Sequence, residues 1–290
     1  MKGPHKMSFD INIIGTGSSG NCIVINDELV IDIGLSYSAL KDVLDNPKTK
    51  AIFVTHRHID HLQPSNINQL RINRPWAIKY KLYTNANVLE KIRENKNLTS
   101  FSVGNPNKQI IDEHSEFEIK GKEHNYKIRT FKLVHDVPNQ GFVITNELGE
   151  SLIYATDTET MEYAPNEKFD YILVEGNYDE DKVNEDLDFE YNFLRLFRQY
   201  EDEGELPEGY DDLNDDEVLD LVATDLSEFV DKLQDEVIAL IDRADRNSRH
   251  LSVQAFEDFC RKHSKPNTVI YQLHESEGFG LRSDLSENID

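Results

Sequence analysis

Four apolar residues, Ala51-Ile52-Phe53-Val54, run directly into Thr55-His56-Arg57-His58-Ile59-Asp60-His61-Leu62. The apolar run reads as a buried strand, so three histidines and an aspartate fall where a strand gives way to a loop. Alternate side chains of an extended segment share a face, which lets His56 and His58 aim at one point. If the chain then turns helical, Asp60 and His61 swing to a second point nearby. Imidazole and carboxylate together suit zinc, manganese or iron, and two adjacent points imply two ions. The chain has ten histidines in 290 residues, so three within six positions mark a metal or catalytic site rather than a polar loop.

Composition narrows the class. No run of about 18 apolar residues exists, which argues against a membrane span, and Met1 to Met7 lacks the apolar stretch of a secretory signal. The two cysteines, Cys22 and Cys260, make no disulfide framework and read as buried thiols of a cytoplasmic protein. The net charge of −24 is uneven: between Asp179 and Glu236 there are 23 acidic against four basic residues. Such a field repels polyanions unless the segment points away from the active site.

In chain order, residues 8 to 34 read as hairpins around the loop Gly15-Thr16-Gly17-Ser18-Ser19-Gly20-Asn21. No Gly-Lys-Ser/Thr follows this loop, so it is not a P-loop. Ser36 to Leu44 and Asn85 to Asn95 read as helices, Asn66 to Leu70 continues helically, and Ala77 to Tyr83 reads as a strand. Ile128 to Val134 alternates as a strand and leads to His135; Ser151 to Ala155 leads to Asp157; Tyr171 to Val174 leads to Glu175. Leu219, Val222, Leu226, Phe229, Val230, Leu233, Val237 and Leu240 form a helical stripe inside the acidic stretch. That stretch is therefore expected to be helical and to cover a neighbour, either the chain's own core or a second subunit. Ser252 to His263 reads as a further helix, and Asn267 to Leu273 as a strand ending at His274. His5, His114, His124 and His263 have no motif context and read as solvated.

The spacing H-x-H-x-D-H after an apolar strand resembles the signature of the metallo-β-lactamase superfamily. That resemblance implies an α/β fold, an αββα sandwich over residues 8–290, here with an acidic helical insertion at 180–246. It implies a dinuclear centre with His56, His58 and His135 on one ion, Asp60, His61 and His274 on the other, and Asp157 bridging. Asp32, in Ile31-Asp32-Ile33-Gly34, matches an aspartate that supports the metal loop without ligating. Gly17-Ser18-Ser19-Gly20-Asn21 and the Glu175-Gly176-Asn177-Tyr178-Asp179 segment resemble the branch of the YycJ/WalJ exonucleases. Glu175 also resembles the glutamate of the tRNA 3′-processing endonucleases (tRNase Z). Arg249-His250-Leu251-Ser252-Val253-Gln254 resembles the family's Gly-His-Leu-Ser-Asn-Glu segment, departing at Arg249 and Val253, and the resemblance places His250 as a catalytic partner of Glu175.

Two ions activate a water nucleophile at neutral pH and polarise the group attacked, with zinc the first expectation and manganese or iron the alternatives. A Glu-oriented imidazole suits a poor alkoxide leaving group. The expected activity is thus hydrolysis of nucleotidic phosphodiesters, either small nucleotides such as cyclic nucleotides or DNA in the manner of an exonuclease. The alternatives are a thioester hydrolase of the glyoxalase II type and a non-catalytic binding protein. Expected partners are a nucleotide or nucleic-acid substrate and a second copy of the chain through the helical insertion, with no membrane.

Overall fold

In the computed structural model the residues described are 9–67, 80–94, 108–210, 213–225, 227–247 and 249–274. They form two six-stranded sheets packed face to face. The first contains β1 (Ile11–Gly15), β2 (Cys22–Ile25), β3 (Leu29–Ile31), β4 (Ala51–Val54), β5 (Lys81–Thr84) and β6 (Lys108–Ile110), in that spatial order. The second contains β7 (Glu116–Lys120), β8 (Asn125–Leu133), β9 (Asn139–Asn146), β10 (Ser151–Ala155), β11 (Phe169–Glu175) and β12 (Ser264–Leu273), also in sequence order across the sheet.

The uninterrupted apolar runs have a direct reason: their strands are covered on both faces. Ile23, Ile25, Ile31 and Phe53 of the first sheet meet Phe142, Ile144, Tyr154 and Leu173 of the second in the central core. The alternate residues Cys22, Val24, Ile52 and Val54 point the other way. They pack beneath α1 (Tyr37–Asp45) and α2 (Ala86–Glu94) through Leu40, Leu44, Val88 and Ile92. On the far side Val143, Ile153, Ile172 and Val174 are covered by Phe256, Phe259 and Cys260 of α7 (Val253–His263). The order is helix, sheet, sheet, helix, the αββα sandwich. Both cysteines are buried.

Caps set the helix ends. Ser36 accepts from the Ala39 backbone N–H, Asn85 from Val88 N–H at 3.0 Å, and Ser252 from Ala255 N–H at 3.0 Å. Each satisfies an orphan donor of a first turn. The expected strand at 77–83 is described from residue 80 onward, and the helical stretch from Asn66 through residue 67. The rest of both lies outside the described residues, as do His5 and Leu226.

The acidic stretch is largely helical in its described part: α3 (Glu180–Leu187), α4 (Phe189–Asp202), α5 (Asp215–Thr224) and α6 (Glu228–Asn247). Its apolar stripe does not lie on the sandwich. Phe193, Phe197, Val218, Val230, Leu233 and Val237 form a cluster of their own, with Leu219, Val222 and Phe229 packed against it. The helices thus bury one another. No helix among the described residues is long and apolar enough to cross a membrane.

Strand direction positions the chemistry. Strands β3 to β6 run parallel, and so do β10 to β12. β8 is antiparallel to β9, which is antiparallel to β10, so β8 shares the direction of β10. Asp32, His56, His135, Asp157, Glu175 and His274 therefore all sit just past, or at, a strand's carboxyl end. Those ends gather at one edge of the sandwich, the place where α/β sheets bind ligands.

Candidate metal centre

At this edge three residues leave their strands in the left-handed conformation: Asp32 (φ 62°), Asp157 (φ 53°) and His274 (φ 61°). Aspartate and histidine are among the few side-chain-bearing residues that visit this region. Three such residues on three strand ends place backbone strain where function concentrates. The turn aims each side chain inward across the end of the sandwich instead of along its strand.

The imidazoles of His56, His58 and His135 converge, with ligand atoms within 4.8 Å of one another. His56 Nε2 lies 3.2 Å from His58 Nδ1, and His135 Nε2 lies 3.3 Å from the same atom. A second group joins Asp157, Glu175, His250 and His274, and a third joins His56, His61 and Asp157, to the same distance limit. Asp157 belongs to two of these groups. Its Oδ2 is 3.6 Å from His56 Nε2 and contacts His61 Nε2, while its Oδ1 is 3.3 Å from His250 Nδ1 and 3.4 Å from His274 Nε2.

The resemblance assigned Asp60 to the second ion, and here the geometry is looser. Its carboxylate stands 3.6 Å from His61 Nε2, at the more exposed rim, outside the three groups. Glu175 and His250 instead fall among the candidate ligands, with His250 Nδ1 3.2 Å from Glu175 Oε2.

Asp32 stands behind this cluster, against the His61 ring. It is wholly buried and accepts from Thr55 N–H at 2.8 Å, Thr55 Oγ1 at 3.0 Å and Tyr154 O–H at 3.3 Å, and meets His61 Nδ1 at 2.7 Å. Four donors fill the roughly four lone-pair sites of a carboxylate. A carboxylate behind an imidazole fixes the ring's orientation and raises its basicity as a ligand.

Several supporting groups are absent from the sequence reading. Asn21 Nδ2 lies 2.8 Å from His61 Nε2, and the Asn21 N–H donates to the Asp60 carbonyl at 2.7 Å. The glycine loop is therefore a platform for the metal loop. Thr16 Oγ1 accepts from His274 N–H at 2.9 Å, and Asn177 Nδ2 lies 3.1 Å from His274 Nδ1. Asn139 Nδ2 donates to the Thr156 and Asp157 carbonyls at 2.9 and 2.7 Å. The sequence signals for them were that loop and the Glu175–Asp179 segment that contains Asn177. His263, expected in solvent, stacks on Phe259 at 4.3 Å between centroids and meets the Glu167 carbonyl at 2.8 Å. It caps the outer helix as a packing residue.

Proton affinities report the local field. Burial pushes His56 well below the ordinary histidine value, helped by neighbouring His61, and burial likewise lowers His135. Burial alone would lower His61, but Asp157 and Asp32 outweigh it and hold the ring well above its usual value. Burial opposes charging of His250 too, and Glu175 reverses the outcome. Asp157 is pulled up by burial and down, decisively, by His61 and the other imidazoles. Negative potential at His61 and His250 beside neutral imidazoles at His56 and His135 describes a site that attracts cations and offers them lone pairs.

An unmet atom agrees with that description. Buried His274 Nε2 has no hydrogen-bond partner, although it lies 3.4 Å from Asp157 Oδ1. Buried polar atoms are ordinarily paired. Convergence without hydrogen bonding is how ligand atoms stand, and nitrogen with carboxylate oxygen fits zinc or a similar divalent ion.

A family model described as a beta-lactamase superfamily domain matches residues 30–193, the span from β3 into α4. The chain belongs to this superfamily. Similar solved structures include YhfI, a metallo-beta-lactamase fold protein of Bacillus subtilis, at 16% identity over 59% of this chain and 72% of that one, TM-score 0.45. Human tRNase Z, short form, matches at 15% identity over 60% and 81%, TM-score 0.43. Zn(2+)-bound PqqB of Methylobacterium extorquens matches at 14% over 60% and 75%, TM-score 0.45. No curated protein sequence matches significantly.

Proposed function

We propose that the chain is a dinuclear-metal-dependent phosphodiesterase that hydrolyses nucleotidic phosphodiesters, small nucleotides in preference to long nucleic acid. The observation that carries this reading is the pair His250 and Glu175, 3.2 Å apart, set directly against Asp157 and His274. Glu175 is immobilised from behind, its Oε1 accepting from Thr158 N–H at 2.5 Å and Leu251 N–H at 3.2 Å. Its other oxygen engages His250 Nδ1, so a proton for a departing group is carried at Nε2.

When bound, two divalent ions supply Lewis acidity and lower the pKa of water. His56, His58 and His135 would hold one; His61, His274 and the rim carboxylate of Asp60 the other; Asp157 would lie between, offsetting their repulsion. Asp32 and Asn21 keep His61 oriented. His250 then protonates the leaving alkoxide, a poor leaving group for which an acid matters most. A thioester needs no such acid, which ranks the glyoxalase-type reading second.

The acidic helices bear on substrate size. Tyr178 pairs with Ser252, and Gln254 Nε2 donates to Asp179 at 3.2 Å. The helices thus leave and rejoin the sandwich three residues after Glu175 and just before His250. Their 23 acidic against four basic residues are rooted at the site and repel a polyanion more than a mononucleotide. A DNA exonuclease of the YycJ kind is the competing branch.

Turnover of bis-(p-nitrophenyl) phosphate with Mn²⁺ or Zn²⁺ tests the class, with His58→Ala and Asp60→Ala as controls. Metal-dependent hydrolysis lost in both variants is expected. Faster turnover of 3′,5′-cyclic nucleotides than of linear double-stranded DNA would support the small-substrate reading. Stoichiometric metal binding without hydrolysis of any phosphodiester would refute the class and turn attention to thioesters.

A further inference from the structure

At the mouth of the metal centre a single guanidinium, that of Arg249, stands among carboxylates. His250 faces His135 across the centre, with ring centroids 5.9 Å apart. Their chain neighbours are therefore close in space: Arg249 precedes His250, and Asp136 follows His135. The Glu159 N–H donates to the Val134 carbonyl at 2.9 Å, which sets Glu159 beside the same loop. Asp136 reaches inward from that loop, its Oδ1 3.2 Å from His135 Nε2 and 3.5 Å from His58 Nε2. The Arg249 charge is stabilised first by its hydrogen bond to Asp245 and then by the fields of Asp136 and Glu159.

Among the described residues, Asp245 in the last turn of α6 is the one hydrogen-bonding partner of Arg249, at 2.6 Å from Nη2. Both side chains are about half exposed, 51% for Arg249 and 57% for Asp245. An ion pair so open to water contributes little to stability, so holding the fold is a poor account of this arginine. A guanidinium carries five N–H donors in a planar fork, and one contact leaves most of them open. The fork matches two oxygens of a phosphate at once. With Asp136, Glu159 and Asp245 about it, the guanidinium is the one member of this group that attracts an anion.

We propose that Arg249 is a specificity residue that binds a second phosphate of the substrate, carried by the fragment that leaves on the His250 side. This rests on the reading of His250 as the acid for the leaving oxygen, because the residue beside that acid borders the leaving fragment. Arg249 touches the substrate away from the scissile phosphorus. It favours a dinucleotide whose leaving half carries a terminal phosphate over one whose leaving half ends in a hydroxyl.

Binding is tested by calorimetry on the zinc-loaded, full-length protein, with thymidine 3′,5′-bisphosphate against the 3′- and 5′-monophosphates. Wild type should prefer the bisphosphate, and Arg249→Gln should reduce that preference roughly 10- to 100-fold, the worth of a charge-assisted contact. Arg249→Lys, which keeps the charge without the fork, should fall between the two. Turnover is compared for the thymidine dinucleotides TpT, pTpT and TpTp. The second phosphate lies on the leaving half of pTpT if a 3′ oxygen departs, and of TpTp if a 5′ oxygen departs. One of these should exceed TpT in kcat/KM, and the advantage should shrink in Arg249→Gln by the same factor as the binding preference. Equal wild-type affinity for bisphosphate and monophosphates, or a preference that survives Arg249→Gln, would overturn the proposal. So would an equal loss of affinity for all three, which would make Arg249 a mere counterweight to the rim carboxylates. The two readings fail separately: dinucleotide hydrolysis without a bisphosphate preference removes the Arg249 site and leaves the phosphodiesterase. An Arg249-dependent preference without hydrolysis of any phosphodiester keeps the phosphate site and removes the phosphodiesterase.

Discussion

A methyl group added at residue 34 is expected to disable the metal loop while leaving the sandwich folded. A Cβ built on Gly34 would stand 1.6 Å from the Asp60 carbonyl oxygen, 2.0 Å from its carbon and 2.7 Å from the His61 nitrogen. Real Cβ contacts essentially never fall under 3.0 Å, so the Asp60 carbonyl must retreat by at least 1.4 Å, the shortfall between those distances. The obstacle is backbone on both sides, so no side-chain rotation relieves it. Retreat breaks the 2.7 Å bond from Asn21 N–H to that carbonyl and strains the 2.9 Å bond from Ile33 N–H to the His61 carbonyl. Both hold His61 against Asp157. A misplacement of about 1 Å in a reacting constellation costs on the order of 10²-fold in rate, whereas overpacking costs roughly 1–3 kcal/mol of stability. Gly34→Ala should therefore lose at least about 10²-fold in reporter turnover and bind Zn²⁺ more weakly in chelator competition, with a folded far-ultraviolet spectrum. Gly149→Ala is the control: its φ of 81° is strained for alanine but nothing lies within 4 Å, so about 1 kcal/mol of stability should go with metal affinity intact. Wild-type metal affinity and turnover in Gly34→Ala would refute the reasoning.

Three further outcomes follow from the same structure. Asp32→Asn removes the anionic partner of His61 Nδ1, and metal affinity should drop roughly 10- to 100-fold; chelator competition at fixed pH reads it, and an unchanged constant would count against the support role. Glu28 is wholly buried and accepts from the backbone N–H groups of Lys122, Glu123 and His124 and from Tyr126 O–H. Glu28→Gln turns an amide N–H₂ toward donors and should cost about 3 kcal/mol in urea unfolding, the scale of charge-assisted bonds. Phe197, fully buried among the acidic helices beside Phe229 and Tyr210, should cost about 3–5 kcal/mol as Phe197→Ala; a loss under about 1 kcal/mol would mean those helices share no packed core.

Local chemistry was readable wherever it was written within a few residues. Ala51 to Val54 announces a strand covered on both faces, and the histidines that follow announce their purpose by density alone. His135, Asp157 and His274 were readable only as strand ends in the right order, since one histidine or aspartate beside a turn means little. The left-handed backbone of Asp157 and His274, which turns their side chains toward a common point, has no signature in residue type. The helical stripe from Leu219 to Leu240 was legible as a stripe, but its partner was not: periodicity says that a face is buried and never against what.

The sequence by itself determined the strand and helix periods, the acidic stretch and the presence of metal-binding side chains, because these depend on neighbours a few positions away. Tertiary structure alone decided which groups meet. Thr16 reaches His274 across 258 positions, Tyr154 reaches Asp32 across 122, and Asn21 reaches His61 across 40. Such contacts exist only after two sheets have closed on a shared core and brought their strand ends to one edge. A hydrogen bond's few ångströms of reach cannot be inferred along a chain whose ends must first be folded together.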